Sequence, residues 1–186
     1  MADLQPLLVL PLLAFFVLGA LFLLVLRRAG RFLARTRDVA RFRRQNGELG
    51  SRIETSLGEV CARIDALRRG QLDAEALADD ITASLDAVQR YGDEAKLLRP
   101  PADGIAVRDG IVAELERAGR ALEMVEHGRS IQASARMGGR EVEAQTSVKR
   151  GYLNVLHARE AIAHQVETGR TVGIGDEAGG FQRRNA

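Results

Sequence analysis

The stretch LGSRIETSLGEVCARIDAL, residues 49–67, decides the fold class of this chain. Its large apolar residues recur at steps of four and three positions, which places them on one face of an α-helix. That face consists of Leu49, Ile53, Leu57, Val60, Ile64 and Leu67. The pattern predicts an amphipathic helix whose apolar side is covered by other helices.

Residues 68–73 predict a turn after this helix. Arg68 and Arg69 suit a helix C-terminus because they interact favourably with the helix dipole, and Gly70 can adopt the left-handed cap conformation. Asp73 can then cap a second helix. The alternative is one long stalk helix, because apolar residues on both sides of Gly70 also keep a heptad spacing. The cap residues favour the turn.

Three further helices are predicted by the same spacing. The second ends before Pro100 and Pro101, and Asp103 can cap the third, in which Gly128 is a point of possible breakage. The fourth covers residues 140–168. The apolar stripes are Leu77, Ile81, Leu85 and Val88, then Ile111, Leu115, Ala118, Leu122 and Val125, then Val148, Tyr152, Val155, Ile162 and Val166. We therefore predict an all-α chain in which residues 45–168 form an antiparallel helical bundle, with a disordered tail at residues 169–186.

A membrane-spanning helix is predicted at residues 7–26. This segment contains no charged or polar side chain, and 20 residues at about 1.5 Å each cover the roughly 30 Å hydrocarbon core of a bilayer. A cleaved signal peptide is disfavoured, because Asp3 stands where a positive segment is expected and the apolar run ends in Arg27 and Arg28. The span is interpreted as an uncleaved anchor.

The charges around the span predict its orientation. No lysine or arginine precedes it, whereas several arginines follow it directly. This bias places the C-terminal side in the cytoplasm and residues 1–6 outside. The expected location is therefore the cell membrane, as a single-pass protein with a cytoplasmic bundle.

Residues 27–44 form a basic segment with an amphipathic pattern. We expect contact with anionic lipid headgroups from Arg27, Arg28, Arg31, Arg35, Arg37, Arg41 and Arg44, and an interfacial apolar face made of Phe32, Leu33, Val39 and Phe42. Only Arg43 intrudes clearly on the apolar arc, and Gly30 can supply a bend into the membrane plane. The alternative is that the arginines serve only as the topology signal on a straight helical extension. In both cases the partner is the lipid bilayer.

Composition excludes several other classes. The net charge of +2 arises from residues 27–44, because the rest of the cytoplasmic part is mildly acidic, so nucleic acid is not an expected partner. A lone Cys61 excludes an internal disulfide and therefore a disulfide-stapled secreted module. We interpret this cysteine as a packing residue beside Val60.

Candidate catalytic chemistry is weak. His157, Glu160 and His164 share one side of the fourth helix, a spacing that can hold a metal, but this side is opposite the apolar stripe. His127 likewise lies opposite the stripe of the third helix. We therefore expect solvated side chains there, and neither a metal, nor a cofactor, nor an enzymatic activity.

The sequence predicts a membrane-anchored cytoplasmic interaction or scaffold protein. Its expected partners are the bilayer and either another protein or a second copy of the chain. The alternative function is an accessory or regulatory subunit of a larger membrane complex, such as a transporter, sensor or respiratory assembly. An apolar face left uncovered by the four helices would favour this alternative.

Overall fold

The fold is an all-helical arrangement. A computed structural model describes residues 5–134 and 139–173, with the side chains of residues 5–14 and 31–33 left out of the description. Over these residues the chain forms four α-helices and no strand: α1 Gln5–Arg68, α2 Ala78–Leu97, α3 Ile105–Ala133 and α4 Glu141–Thr171. Short 3-10 turns at Glu75–Leu77 and Ala102–Gly104 precede α2 and α3.

The four helices pack in cyclic order, each antiparallel to its neighbours. Arg63 Nε of α1 donates to Asp80 Oδ2 of α2 at 2.7 Å, and the Arg159 side chain of α4 lies 3.6 Å from that of Glu54 in α1. The most extensive contact is between α3 and α4, and α1 lies between α2 and α4. The predicted antiparallel bundle is therefore confirmed.

The predicted apolar stripes form the core of this bundle. Ile53, Leu57, Ile64, Ile81 and Leu122 are completely buried. Leu85 and Tyr152 are the two stripe residues that are only partly buried. The spacing of apolar residues thus identified the buried face of each helix.

The predicted turn after residue 68 is present, so the single stalk helix across residues 57–88 is wrong. Gly70 has φ of +69°, the Gln71 N–H donates to the Ala66 carbonyl at 2.8 Å, and the Gly70 N–H donates to the Leu67 carbonyl at 3.0 Å. These two bonds make a Schellman motif, which satisfies carbonyls at the end of α1. A residue other than glycine would be strained at this φ.

The side-chain caps expected from Asp73 and Asp103 are absent at the two helix starts. The first residues of both helical segments have no side-chain cap hydrogen bond, and each segment starts with a 3-10 turn. In a 3-10 turn the hydrogen bonds join residues three apart, whereas in an α-helix they join residues four apart. The first N–H groups that lack a helical partner are therefore different ones. The caps were therefore wrong, although the helix starts were correct to within a few residues.

Three helix boundaries differ from the sequence-based ones. The predicted anchor, the basic segment and the first bundle helix form one 64-residue helix, α1, which is not interrupted at Gly30. The third helix does not break at Gly128 but continues to Ala133. The fourth continues to Thr171, and Val172 is buried behind it, so residues 169–173 belong to the bundle. The predicted tail at residues 174–186 lies outside the described residues.

Gly128 and Gly151 bring the backbones of α3 and α4 close together. A Cβ atom at Gly128 would lie 2.7 Å from the Ala144 carbonyl oxygen, and one at Gly151 would lie 2.7 Å from the Ala121 carbonyl oxygen. Such distances leave no room for a side chain, and a backbone carbonyl cannot rotate away. The glycines that weaken these helices locally are thus required by the packing between them.

Shortening a core side chain should destabilise the bundle far more than changing the solvated face. Leu122→Ala should lower the free energy of unfolding by about 2–5 kcal/mol, because Leu122 is fully buried. His157→Ala, at an exposed position of α4, should cost under about 0.5 kcal/mol. Chemical denaturation of both variants checks the contrast. Equal effects would contradict the assignment of the core.

A matched pair of glycine variants tests the close approach of α3 and α4. Gly151→Ala should destabilise the bundle by about 1–3 kcal/mol, because the new methyl group meets a backbone carbonyl. Gly92→Ala in α2 should be neutral or stabilising by up to about 1 kcal/mol, because a Cβ there meets nothing within 4 Å and alanine is the better helix former. Thermal unfolding measures both. Gly151→Ala as stable as wild type would disprove the close approach.

Candidate functional site

The N-terminal part of α1 presents a long apolar surface. Every described residue from 15 to 30 is exposed, and ten of them are large hydrophobic residues with 51% to 74% of their surface accessible. These are Phe15, Phe16, Val17, Leu18, Leu21, Phe22, Leu23, Leu24, Val25 and Leu26. Apolar side chains therefore cover all sides of this helical segment, and the bundle buries none of them.

The described part of the chain contains no helix that is both long enough and apolar enough to cross a membrane. The predicted span covers residues 7–26, and the side chains of its residues 7–14 lie outside the described residues.

The predicted headgroup-contacting arginines follow this apolar segment on the same helix. Arg27 and Arg28 are exposed directly after Leu26, and so are Arg35, Arg37, Arg41 and Arg44 farther along α1. The side chain of Arg31 and the neighbouring apolar side chains of Phe32 and Leu33 lie outside the described residues.

Two of the four predicted interfacial apolar residues are packed by the bundle instead. Phe42 is only 1% exposed. Its ring packs against Gly104, where an added Cβ atom would lie 2.9 Å from the nearest ring carbon. Val39 is half-buried beside Gly173, which follows α4. The expectation that Phe42 and Val39 form a lipid-facing surface is therefore corrected: the segment before α3 packs on Phe42, and the segment after α4 packs on Val39.

Arg43 lies on the apolar arc of the basic segment, where it binds a backbone carbonyl 129 residues away in the chain. Its Nε donates to the Val172 carbonyl at 2.8 Å, and its Nη2 donates to the same oxygen. This carbonyl directly follows α4, where backbone acceptors lack helical partners and a cation is favourable. Arg43 thus joins the first bundle turn of α1 to the end of α4.

Asn46 lies one turn farther along α1 and is completely buried. Its Nδ2 donates to the Val166 carbonyl at 3.3 Å, while its Oδ1 is buried without a hydrogen-bond partner among the described residues. Phe42 and Asn46 were not predicted as core positions. The available signal was the continuation of the Leu49 and Ile53 stripe backwards in steps of three and four, which reaches both.

The histidines lie on the solvated face, as predicted. His157, Glu160 and His164 are exposed on α4. Within the described ranges, no group of three or more histidine, cysteine, aspartate or glutamate side chains is placed to hold a metal ion.

His127 takes part in a small surface network. Its Nε2 lies 3.4 Å from Glu143 Oε1, and Arg140 donates to both oxygens of the same carboxylate at 2.8 and 2.9 Å. The hydrogen bonds from Arg140 and then His127 lower the pKa of Glu143 to about 2. The network connects α3 with the first turn of α4 at the end of the bundle far from Phe42.

Cys61 is a packing residue in the core. It is 5% exposed, and this burial raises the pKa of its thiol above the usual value. A reactive cysteine needs the opposite, a lowered pKa with access from solvent. The sequence-based interpretation of Cys61 as an apolar packing residue agrees with this environment.

Removing the donors of Arg43 should loosen the end of α4. Arg43→Met keeps an unbranched apolar stem but leaves the buried Val172 carbonyl without its two donors, which should cost about 1–3 kcal/mol. The control is Arg41→Met, at an exposed position two residues earlier, with an expected cost under about 0.5 kcal/mol. Hydrogen exchange should accelerate over the last turn of α4 in the first variant only. Equal exchange in both variants would exclude this role of Arg43.

The structure thus separates two kinds of surface, the exposed apolar and basic segment of α1 and the mixed exterior of the bundle, on which Leu97 and Val142 are also exposed. Comparison with known proteins gives no relative: no family model, no curated protein and no solved structure matches this chain.

Proposed function

We propose that this chain is a membrane-anchored interaction protein that holds a helical bundle at the cytoplasmic surface of the cell membrane and performs no catalysis. The observation that supports it best is the run of exposed apolar side chains at residues 15–26, followed at once by exposed Arg27 and Arg28. The two features are continuous on one helix, α1.

The physical support for an anchor is the cost of leaving this surface in water. Burial of apolar surface is worth about 25 cal/mol per Å². Because apolar side chains surround this helical segment, packing one side of it against a bundle would leave its other sides in water. A lipid bilayer covers all sides of such a helix at once. With residues 7–14, which are equally apolar in sequence, the segment is long enough to span the roughly 30 Å hydrocarbon core.

The arginine distribution supports an N-outside orientation. Residues 1–26 contain no lysine or arginine, whereas eight arginines occur between residues 27 and 44. Positive residues next to a span are retained on the cytoplasmic side. The bundle would then lie in the cytoplasm.

The continuous α1 favours headgroup contact for the first arginines of the basic segment over the last. At about 1.5 Å per residue, an upright helix places Phe42 roughly 24 Å beyond Leu26, whereas the headgroup region is only about 5–8 Å deep. Arg27, Arg28 and Arg31 fall within or near that layer. Arg41 and Arg44 lie where the bundle begins, roughly 15 Å beyond the headgroups, and physiological salt screens most of their attraction to anionic lipid at that distance.

The bundle supplies the folded surface that a binding role requires. Its helices are joined on the outside by ion pairs such as Arg63 with Asp80 and Arg159 with Glu54, and its interior is apolar except for Asn46. The proposed activity is therefore presentation of a folded surface to a partner at a set distance from the membrane.

A second candidate function is an accessory or regulatory subunit of a larger membrane complex. Partly uncovered apolar side chains favour it, notably Leu85 of α2 and Val112 of α3, which face one groove. In that case the partner would be a resident chain of the same membrane.

A reporter placed after Ala186 tests the anchored arrangement. A cytoplasmic reporter should be active, and the fusion should stay with the membranes through an alkaline wash, because residues 7–26 span the bilayer. Replacing Leu18 and Leu21, both exposed on α1, with arginine should release the protein into the soluble fraction with its helicity intact. A periplasmic or extracellular reporter, or a wild-type fusion released by the wash, would refute the proposal.

A further inference from the structure

The groove between α2 and α3 differs from the other helix contacts of the bundle. It encloses about 370 Å³, and Gly92 and Gly119 leave it open on both walls. A Cβ at Gly92 would meet nothing within 4 Å, and one at Gly119 would meet only Val88 at 3.8 Å. The floor is apolar and includes Leu85, Val88, Val112 and Leu115.

Carboxylates line both rims of this groove. Asp86 and Asp93 stand seven residues apart on α2, and Glu116 and Glu123 stand seven residues apart on α3. All four are exposed. Because the two helices are antiparallel and Val88 lies beside Gly119, Asp86 is at nearly the level of Glu123, and Asp93 at that of Glu116. Each rim therefore repeats its negative charge every two helical turns.

Most of these rim charges have no cation of their own. Lys96 lies 3.6 Å from Asp93, but among the described residues Asp86, Glu116 and Glu123 form no ion pair. At the contacts of α1 with α2 and α4, by contrast, Asp80, Glu94 and Glu54 each pair with an arginine of the neighbouring helix. Like charges across a groove do not stabilise a fold, and cations on a partner would be complementary to both rims.

The groove is long enough for a helix. It continues past Val112 and Glu116 into a second hollow of about 380 Å³, whose lining carries both cations, Lys96 and Arg108, and carboxylates, Asp109 and Glu116. From Glu123 to Arg108 along α3 the distance is roughly 22 Å, or about four helical turns. An apolar floor with charged rims at a seven-residue repeat matches a helix with an apolar seam and flanking charges of opposite sign.

We propose that the groove between α2 and α3 binds an amphipathic helix of a partner protein, with an apolar seam on the floor and lysine or arginine on both flanks. This rests on the proposed role as an interaction protein and specifies the chemistry of its partner. The half-exposed leucine and valine side chains would be covered by the seam. The flanking cations would pair with Asp86, Glu116 and Glu123.

The test uses the full chain in phosphatidylcholine nanodiscs and a labelled helical peptide of about 18 residues, with leucine at the seam positions and lysine at the flanks. Fluorescence anisotropy gives its affinity, with empty nanodiscs as background. We expect binding at least about tenfold tighter than that of the same peptide with glutamate at the flanks. Equal binding of the two peptides would overturn the proposal.

Two groove variants and one control locate the binding. Glu116→Lys with Glu123→Lys should weaken the lysine peptide about tenfold or more, whereas Glu59→Lys with Glu160→Lys, an equal charge change at exposed positions outside the groove, should not. Gly92→Leu should also weaken binding by filling the groove, while the unfolding temperature stays the same or rises. An equal loss in the control variant would overturn the proposal.

The outcome is separable from failure of the membrane anchor. Retention of the chain in the nanodisc reports the anchor, and peptide affinity reports the groove. If the chain instead forms a dimer in the nanodisc that Glu116→Lys with Glu123→Lys dissociates, the occupant is a second copy, and the partner-helix proposal is wrong.

Discussion

The close approach of α3 to α4 is the constraint on which the bundle depends. Two glycines, Gly128 in α3 and Gly151 in α4, each face a carbonyl oxygen of the other helix at a distance that excludes a side chain. Because both helices are long and antiparallel, this contact fixes their relative height along most of their length. The other helices then pack on a pair whose geometry is already set, α2 against α3 and α1 against both α2 and α4.

The exposed surfaces follow from that arrangement. α2 is the shortest of the four α-helices, and the contact between α2 and α3 is less extensive than the contact between α4 and α3. The glycines on this side, Gly92 and Gly119, do not draw the helices together but leave space between them. Glycine thus has opposite effects at two interfaces of the same helix, α3, according to whether another backbone fills the position.

Structural features that depend on residues nearby in the chain are predictable from the sequence. The stripe through Leu57, the turn at Gly70 and the exposed His157 are all set by periodicity or local backbone preference. The sequence does not predict the role of Gly128, because a glycine in a helix has the same local signature at a close contact and at a weak point. The role of Arg43 was not predicted either, because its partner carbonyl at Val172 is 129 residues away in the chain. For the candidate sites, the apolar run and its arginines are evident in sequence, whereas the α2–α3 groove exists only once the two helices are paired.

Because α1 is one continuous helix, the orientation of the bundle about the helix axis is fixed relative to residues 15–26. Since residues 15–26 and the bundle face that contains Phe42 and Leu49 belong to one helix, each residue between them sets both a rise and a rotation. Inserting two residues near residue 34 would move the bundle by only about 3 Å but turn it by about 200° about the helix axis. Seven inserted residues would move it by about 10 Å and nearly restore its facing. The number of residues in this segment thus determines which side of the bundle faces a neighbouring protein in the plane of the proposed membrane.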